Sequence, residues 1–172
     1  MRRVASLLAA VLTVGCAAGG FTVHSTRSVA SVGSTGFALL SSDPVVEIRG
    51  TPPGGASPEA VAAAMRMPGG FVQRPFRLAP ADGLGTRLVL IFGARAVNDG
   101  TVCAPAGQGG GAPARLAAAA ALCVGSRPAA SGVLVSDAAS PDDPAFRAAI
   151  QGLIQGMNQA NDQPRRRLGS AD

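Results

Sequence analysis

Five consecutive apolar residues, Leu88-Val89-Leu90-Ile91-Phe92, constrain the fold of this chain more than any other stretch. They follow Arg87 and a turn signal at Asp82-Gly83, and they show no alternation of apolar and polar side chains. A strand with one face in water alternates, so a strand of this kind must be covered on both faces or lie at the centre of its sheet. We therefore predict a central strand over 87–92 with layers packed on both sides.

Strand signals occur at three other places. Residues 45–49 are rich in β-branched side chains and lie between a proline and a glycine. Residues 71–78 suggest a second strand, and Pro75 assigns it to the edge of the sheet because proline lacks a backbone donor. Residues 131–136 are apolar enough to form the last strand.

Three helices are predicted between and after these strands. The first is capped by Ser57, with Pro58 in its first turn. The second covers Arg115 to Val124, because alanine has the highest helix propensity. The third opens at 141–144 and has clear amphipathic spacing. Its apolar face comprises Phe146, Ile150, Leu153, Ile154 and Met157, and Gln151, Gln155 and Asn158 are expected to face away.

In chain order these elements are strand, helix, strand, strand, helix, strand and a further helix. We predict an α+β fold, with the ferredoxin-like βαββαβ order and an added C-terminal helix, in one domain over 44–158. A three-layer α/β arrangement is the alternative. Unrelated functions use these architectures, so the fold by itself implies no activity.

The N-terminus has the three parts of an export signal. Arg2 and Arg3 precede an uncharged apolar stretch from Val4 to Gly15, and small residues follow it. The stretch is too short for an ordinary membrane span. We predict that residues 1–15 are a signal peptide.

The residues Leu12-Thr13-Val14-Gly15-Cys16-Ala17 resemble the lipobox of bacterial lipoprotein precursors. The resemblance covers the signal region alone. It implies cleavage before Cys16, a diacylglyceryl thioether on the Cys16 sulfur, and stable anchoring through several acyl chains. It further implies a protein that faces the periplasm, and Ala17 in place of Asp favours the outer membrane.

Two other interpretations of the N-terminus stay open. An ordinary signal could be cleaved after Ala17 or Ala18, or the uncharged stretch from Val4 to Val23 could remain as an anchor. Beyond it, residues 16–43 are dominated by Ser, Thr, Gly and Ala, which bury little apolar surface. We predict a flexible tether over 16–43, in which Phe37–Leu40 is apolar enough to pack onto the domain.

Cys103 and Cys123 remain once Cys16 is assigned to the lipid. An even pair in an exported protein predicts a disulfide, because the periplasm is oxidising. Two separate buried thiols are the alternative. Gly152 and Gly156 lie on one side of the last helix, where we expect them to allow a close approach of another element inside the domain; an approach by a partner is the alternative.

The composition excludes several classes of function. All 15 basic residues are arginine, so no lysine can form a Schiff base or a phosphate-loop contact. Trp and Tyr are absent, and the formal charge of +5 falls to +3 without Arg2 and Arg3, which argues against a nucleic-acid partner. Arg165, Arg166 and Arg167 account for the remaining formal charge of +3. They lie in residues 159–172, which we predict to be a disordered tail. A weaker hypothesis is that these three bind an anionic surface.

No catalytic, metal or cofactor set is apparent. The only histidine, His24, lies in the predicted tether, and Gly107–Gly111 lies too far beyond a strand for a phosphate loop. We predict a lipid-anchored periplasmic envelope protein with a binding or scaffolding role and no enzymatic activity. The alternatives are a free periplasmic small-ligand binder and a carboxylate-using hydrolase. The acids available to the hydrolase are Asp99, Asp137, Asp142 and Asp143.

Overall fold

A computed structural model describes residues 20–28, 30–80, 83–105 and 115–167, and it shows one sheet with three α-helices. The α+β class is therefore confirmed. The strands are β1 Phe21–Ser28, β2 Val45–Arg49, β3 Arg77–Leu78, β4 Thr86–Phe92, β5 Leu116–Val124 and β6 Arg127–Ser136. The helices are α1 Ala30–Ser42, α2 Pro58–Ala64 and α3 Pro144–Arg167. The predicted signal peptide, 1–15, and Cys16 lie outside the described residues.

The strand order across the sheet is β1-β6-β5-β4-β2-β3. Strand β2 runs parallel to β3 and β4, whereas β4–β5, β5–β6 and β6–β1 are antiparallel pairs. The ferredoxin-like order is not found, because an extra strand, β5, stands where the second helix was expected.

The helix predicted over 115–124 is wrong, since this segment is β5. It lies between β4 and β6 and pairs with both along its length, so every residue from Leu116 to Cys123 is buried. A helix here would leave the facing backbone groups of β4 and β6 without partners. Tertiary pairing thus outweighs the helix propensity of alanine, which amounts to a few tenths of a kcal/mol per residue.

The prediction for β4 is confirmed. It lies between β5 and β2, and all its residues from Arg87 to Phe92 are buried. Side chains alternate between two apolar layers. Leu88, Leu90 and Phe92 pack in the larger cluster with the helices, whereas Val89 and Ile91 pack in a smaller cluster on the opposite face.

The three helices form the layer on the first face. The apolar face predicted for α3 is confirmed, because Phe146, Ile150, Leu153, Ile154 and Met157 are all fully buried. The cap of α2 is also as predicted, with the Ser57 hydroxyl accepting a hydrogen bond from the Ala60 amide at 3.2 Å. Gln151 was expected to face away from the domain. It is instead half-buried and donates to the Met67 carbonyl at 2.9 Å.

The tether predicted over 16–43 needs correction from Phe21 onward. Strand β1 occupies 21–28 and pairs with β6, and α1 occupies 30–42. Phe37 and Leu40 of α1 are buried in the core, as their apolar character suggested. The composition was misleading because a strand next to an existing sheet gains a full ladder of hydrogen bonds without many large apolar side chains.

Two further boundaries differ from the prediction. The strand expected over 71–78 is reduced to the two residues of β3, although its edge position is as predicted. The disordered tail predicted over 159–172 begins too early, because α3 continues to Arg167. Residues 168–172 lie outside the described part of the chain. Within that part, none of the helices has both the length and the apolar character needed to cross a bilayer.

Gly152 allows the close approach that was predicted inside the domain. A Cβ atom at this position of α3 would overlap the ring of Phe21, the first residue of β1. The start of β1 is therefore seated directly on α3.

The second face of β4 is covered by the connection that follows it. The predicted disulfide joins Cys103 in this connection to Cys123 in β5, with Cα atoms 5.6 Å apart. Apolar side chains of the connection pack against β4, β5 and β6 on this face. They are Ala94, Val97, Val102 and Cys103.

Replacing both Cys103 and Cys123 with serine should lower the free energy of unfolding by about 3 kcal/mol, the loop-closure value for a loop of roughly 20 residues. The bridge closes a loop with a sequence separation of 20. Denaturant unfolding followed by circular dichroism measures the change. Wild-type protein in dithiothreitol is the matched control and should unfold like the variant. Equal midpoints with and without reductant would show that the bridge does not support this face.

Candidate functional site

A partly buried ionic cluster formed by Glu47, Arg49 and Arg87 lies on the face of the sheet that the Cys103 connection covers. Glu47 and Arg49 are two residues apart on β2, so their side chains leave the same face of the sheet. Arg87 comes from the neighbouring parallel strand β4. The three side chains are exposed by only 27%, 9% and 2%, respectively.

Glu47 bridges the two arginines. Its Oε1 accepts from Nε of Arg49 at 2.7 Å, and its Oε2 accepts from Nε of Arg87 at 2.7 Å. Two guanidinium groups share one carboxylate, so the cluster carries a surplus of one positive charge. The Nη1 atom of Arg49 is buried and has no hydrogen-bond partner.

The remaining donors of the cluster hold the backbone around it. Arg87 donates from Nη2 to the Cys103 carbonyl at 2.8 Å and from Nη1 to the Gly125 carbonyl at 3.0 Å. Arg49 donates from Nη2 to the Ala104 carbonyl at 2.8 Å. Arg87 also lies directly across from Cys123 in the β4–β5 pair. The cluster and the disulfide therefore fix the same covering segment from two sides.

A cavity of about 440 Å³ lies where β2, β3 and β4 begin. Its walls come from the end of α1, the start of β2, the residues after β3 and the start of β4. They are largely apolar, with Leu39, Val45, Ala79 and Pro80 among them. We call this space the strand-start cavity.

Three charged residues are among those that line the strand-start cavity. Asp43 and Arg77 both line it and form an exposed ion pair, in which Nη2 of Arg77 lies 2.6 Å from each carboxylate oxygen. Arg87 also lines the cavity, so one residue belongs to both the cavity and the ionic cluster. An apolar space with a few convergent polar groups is the usual form of a small-ligand site.

The four acids considered for a hydrolase lie in three different places. Asp137 forms an exposed ion pair with Arg115 at 2.9 Å. Asp99 accepts a hydrogen bond from the Ser131 hydroxyl at 3.5 Å, beside a cavity of about 260 Å³. Asp142 and Asp143 are sequence neighbours and line a further cavity of about 460 Å³. Asp142 and Asp143 share this cavity, whereas Asp99 and Asp137 lie elsewhere, so the four acids do not form one site.

Asp143 has a structural role at the start of α3. Its Oδ1 atom accepts from the Ala145 amide at 2.9 Å, which is the hydrogen bond expected of a helix N-cap. Asp143 thus caps the helix that the sequence predicts to open at 141–144. Searched over the described residues, the chain shows no group of three or more His, Cys, Asp or Glu side chains suited to a metal ion.

The other candidate residues are distributed as follows. His24 belongs to β1 rather than to a linker, and its backbone pairs with Val133. Arg165, Arg166 and Arg167 are the last residues of α3. Cys16 and Gly107–Gly111 lie outside the described residues.

Sequence reasoning missed the ionic cluster, although the signal was present. In β2 the order Val46-Glu47-Ile48-Arg49 alternates apolar and charged residues, which places Glu47 and Arg49 on one face of a strand. The next strand opens with Arg87, directly before its apolar run. What the sequence could not show is that β2 and β4 are neighbours, because residues 50–85 separate them.

The chain matches no protein-family model, no curated protein and no solved structure at a significant level. The interpretation of the site therefore depends on its own geometry.

Replacing Glu47 with glutamine should lower the free energy of unfolding by about 3 kcal/mol, because it leaves two buried guanidinium groups without a counter-charge. Replacing Arg77 with glutamine is the matched control. Its ion pair with Asp43 is exposed by 65% and 60%, so the loss should stay within about 0.5 kcal/mol. The denaturant midpoints of the two variants show whether the ionic cluster stabilises the fold. Equal losses would contradict the structural role of Glu47.

Proposed function

We propose that this chain is an exported cell-envelope protein, held in the membrane by lipid on Cys16 and facing the periplasm, with the outer membrane favoured. Its folded domain acts in binding or scaffolding and not in catalysis. The proposed binding site is the strand-start cavity, and the proposed ligand is a small, partly apolar molecule or side chain.

The proposal of a periplasmic location is supported by the Cys103–Cys123 disulfide. Disulfides persist in oxidising compartments and are rare in the cytosol, so a bridge built into the covering layer supports export. The predicted signal over 1–15 and the lipobox-like residues around Cys16 support the same compartment from the other end of the chain.

The observation that supports a binding role is the shape and lining of the strand-start cavity. Its volume of about 440 Å³ is within the range of small-molecule sites, and its walls are mainly apolar. The Asp43–Arg77 pair at its edge offers both a donor and an acceptor to a polar head group. A carboxylate hydrolase would instead need two acids facing each other across a cleft.

The intact mass of the mature protein extracted from membranes tests the anchor. We expect a chain that begins at Cys16 and carries acyl mass, and an increase of two daltons on reduction of the Cys103–Cys123 bridge. A Cys16→Ser variant should lose its acyl mass and leave the membrane fraction. An unmodified chain that begins after Ala17 or Ala18 would instead indicate a free periplasmic protein, and the anchor would be rejected.

Binding of the apolar dye N-phenylnaphthylamine tests the cavity. Ala79 is half-buried in its wall, and the Ala79→Phe variant should fill the space and weaken dye affinity by at least about tenfold, equivalent to about 1.4 kcal/mol. The matched control is Ala63→Phe, at the cavity next to Asp142 and Asp143. Equal dye affinity in both variants would show that the strand-start cavity is not the binding site.

A further inference from the structure

The distance between the proposed anchor and the folded domain is short. Cys16 and Phe21, the first residue of β1, are five residues apart, so even a fully extended chain spans at most about 18 Å between them. The long tether expected from composition would have let the domain move freely. The start of β1 must instead stay close to the lipid surface.

We propose that the domain is held close to the bilayer with the start of β1 toward the lipid and the strand-start cavity facing away from it. This inference rests on the proposed acylation of Cys16. The partner of the anchored end is a lipid surface, and the cavity is presented to the periplasm.

The pairing register defines which residues share the anchored end of the sheet. Phe21 pairs with Ser136 at the end of β6, and Ser136 pairs with Leu116 at the start of β5. The exposed Arg115–Asp137 ion pair lies directly beyond these residues. Phe21 is itself 40% exposed, which leaves part of its ring available at the surface nearest the lipid.

The strand-start cavity lies at the opposite end of the sheet. Strands β2, β3 and β4 are parallel and begin there, whereas β4 ends beside the start of β5. The length of β4, from Thr86 to Phe92, separates the two ends by about 20 Å.

The cavity is also far from β1 across the sheet. In the strand order, β1 and β2 are four positions apart, which corresponds to about 19 Å at the usual strand spacing. The anchor and the cavity are thus at diagonally opposite corners. Whether the sheet stands on the start of β1 or rests on the β1 edge, the cavity faces away from the bilayer.

The last turn of α3 also lies away from the anchored end of the sheet. This helix packs chiefly against β1 and β6, and Gly152 seats the ring of Phe21 at the anchored end. Arg165 to Arg167 come 13 to 15 residues later, or about 20 Å along a helix. Because α3 starts after the end of β6, its last turn lies toward the far end.

Single tryptophans report the orientation, because the natural chain contains none. The mature chain, residues 16–172, is coupled through Cys16 to a maleimide lipid in liposomes that contain brominated phosphatidylcholine, which quenches tryptophan. Cys103 and Cys123 do not react, since they are joined. Attachment is imposed chemically, so the result does not depend on whether cells acylate Cys16. The mass measurement above decides that separately.

The two reporter positions are exposed and lie at opposite ends. Arg115 is at the anchored end, and Leu84, which is 57% exposed, is beside the strand-start cavity. We expect the emission of Arg115→Trp to be quenched more strongly than that of Leu84→Trp, because the two ends are about 20 Å apart. Equal quenching at both positions, or stronger quenching at position 84, would overturn the proposal. Melting temperatures equal to that of the wild type establish that both variants are folded.

A variant with a longer tether tests whether the short tether sets the orientation of the domain. Inserting a Gly/Ser segment of about 20 residues after Ala18 adds a flexible reach of roughly 25 Å. The difference in quenching between the two positions should then disappear. If the difference persisted, tether length would not set the orientation, and that part of the proposal would be wrong.

Discussion

The guanidinium group of Arg87 is the interaction on which the arrangement of one whole face depends. It is buried near the start of β4 and donates hydrogen bonds to Glu47 on β2, to the Cys103 carbonyl and to the Gly125 carbonyl at the β5–β6 turn. A buried arginine is costly unless its donors are satisfied and its charge is balanced. The Cys103 and Gly125 carbonyls accept hydrogen bonds from the guanidinium group, and Glu47 supplies a counter-charge that Arg87 shares with Arg49. Three elements that are distant in the chain are thus fixed around one side chain.

The composition of β5 explains why this face needs such support. Its residues from Ala117 to Ala121 bury little apolar surface each, so the hydrophobic contribution of the central strands comes mainly from β4. The covering segment adds only a small apolar cluster on this side. Small domains with limited cores often depend on covalent links, and here the Cys103–Cys123 bridge and the ionic cluster act at adjacent positions on the same segment.

The parts of the fold that could be predicted were those with strong local signals. The apolar run of β4 and the amphipathic face of α3 identified both elements and their burial, and an even pair of cysteines with the predicted compartment predicted the bridge. Alanine in β5 gave a wrong answer because its preference is local, whereas the pairing of β5 depends on β4 and β6. Strand β1 was missed since its Ser and Thr residues gain stability from an edge that the sequence does not show. The ionic cluster required knowledge that β2 adjoins β4.

The presence of β1 changes the physical meaning of the proposed anchor. A flexible segment from Cys16 to Asp43 would have a root-mean-square span of roughly 30 Å, enough for the domain to rotate in any direction. Strand β1 and helix α1 absorb most of that segment into the fold. With Cys16 acylated as we propose, a restricted geometry would replace the entropy that a long tether retains, and an apolar ligand or partner of the strand-start cavity would approach from the aqueous side. Under the same proposal, the cavity would not compete for the lipid that holds the domain.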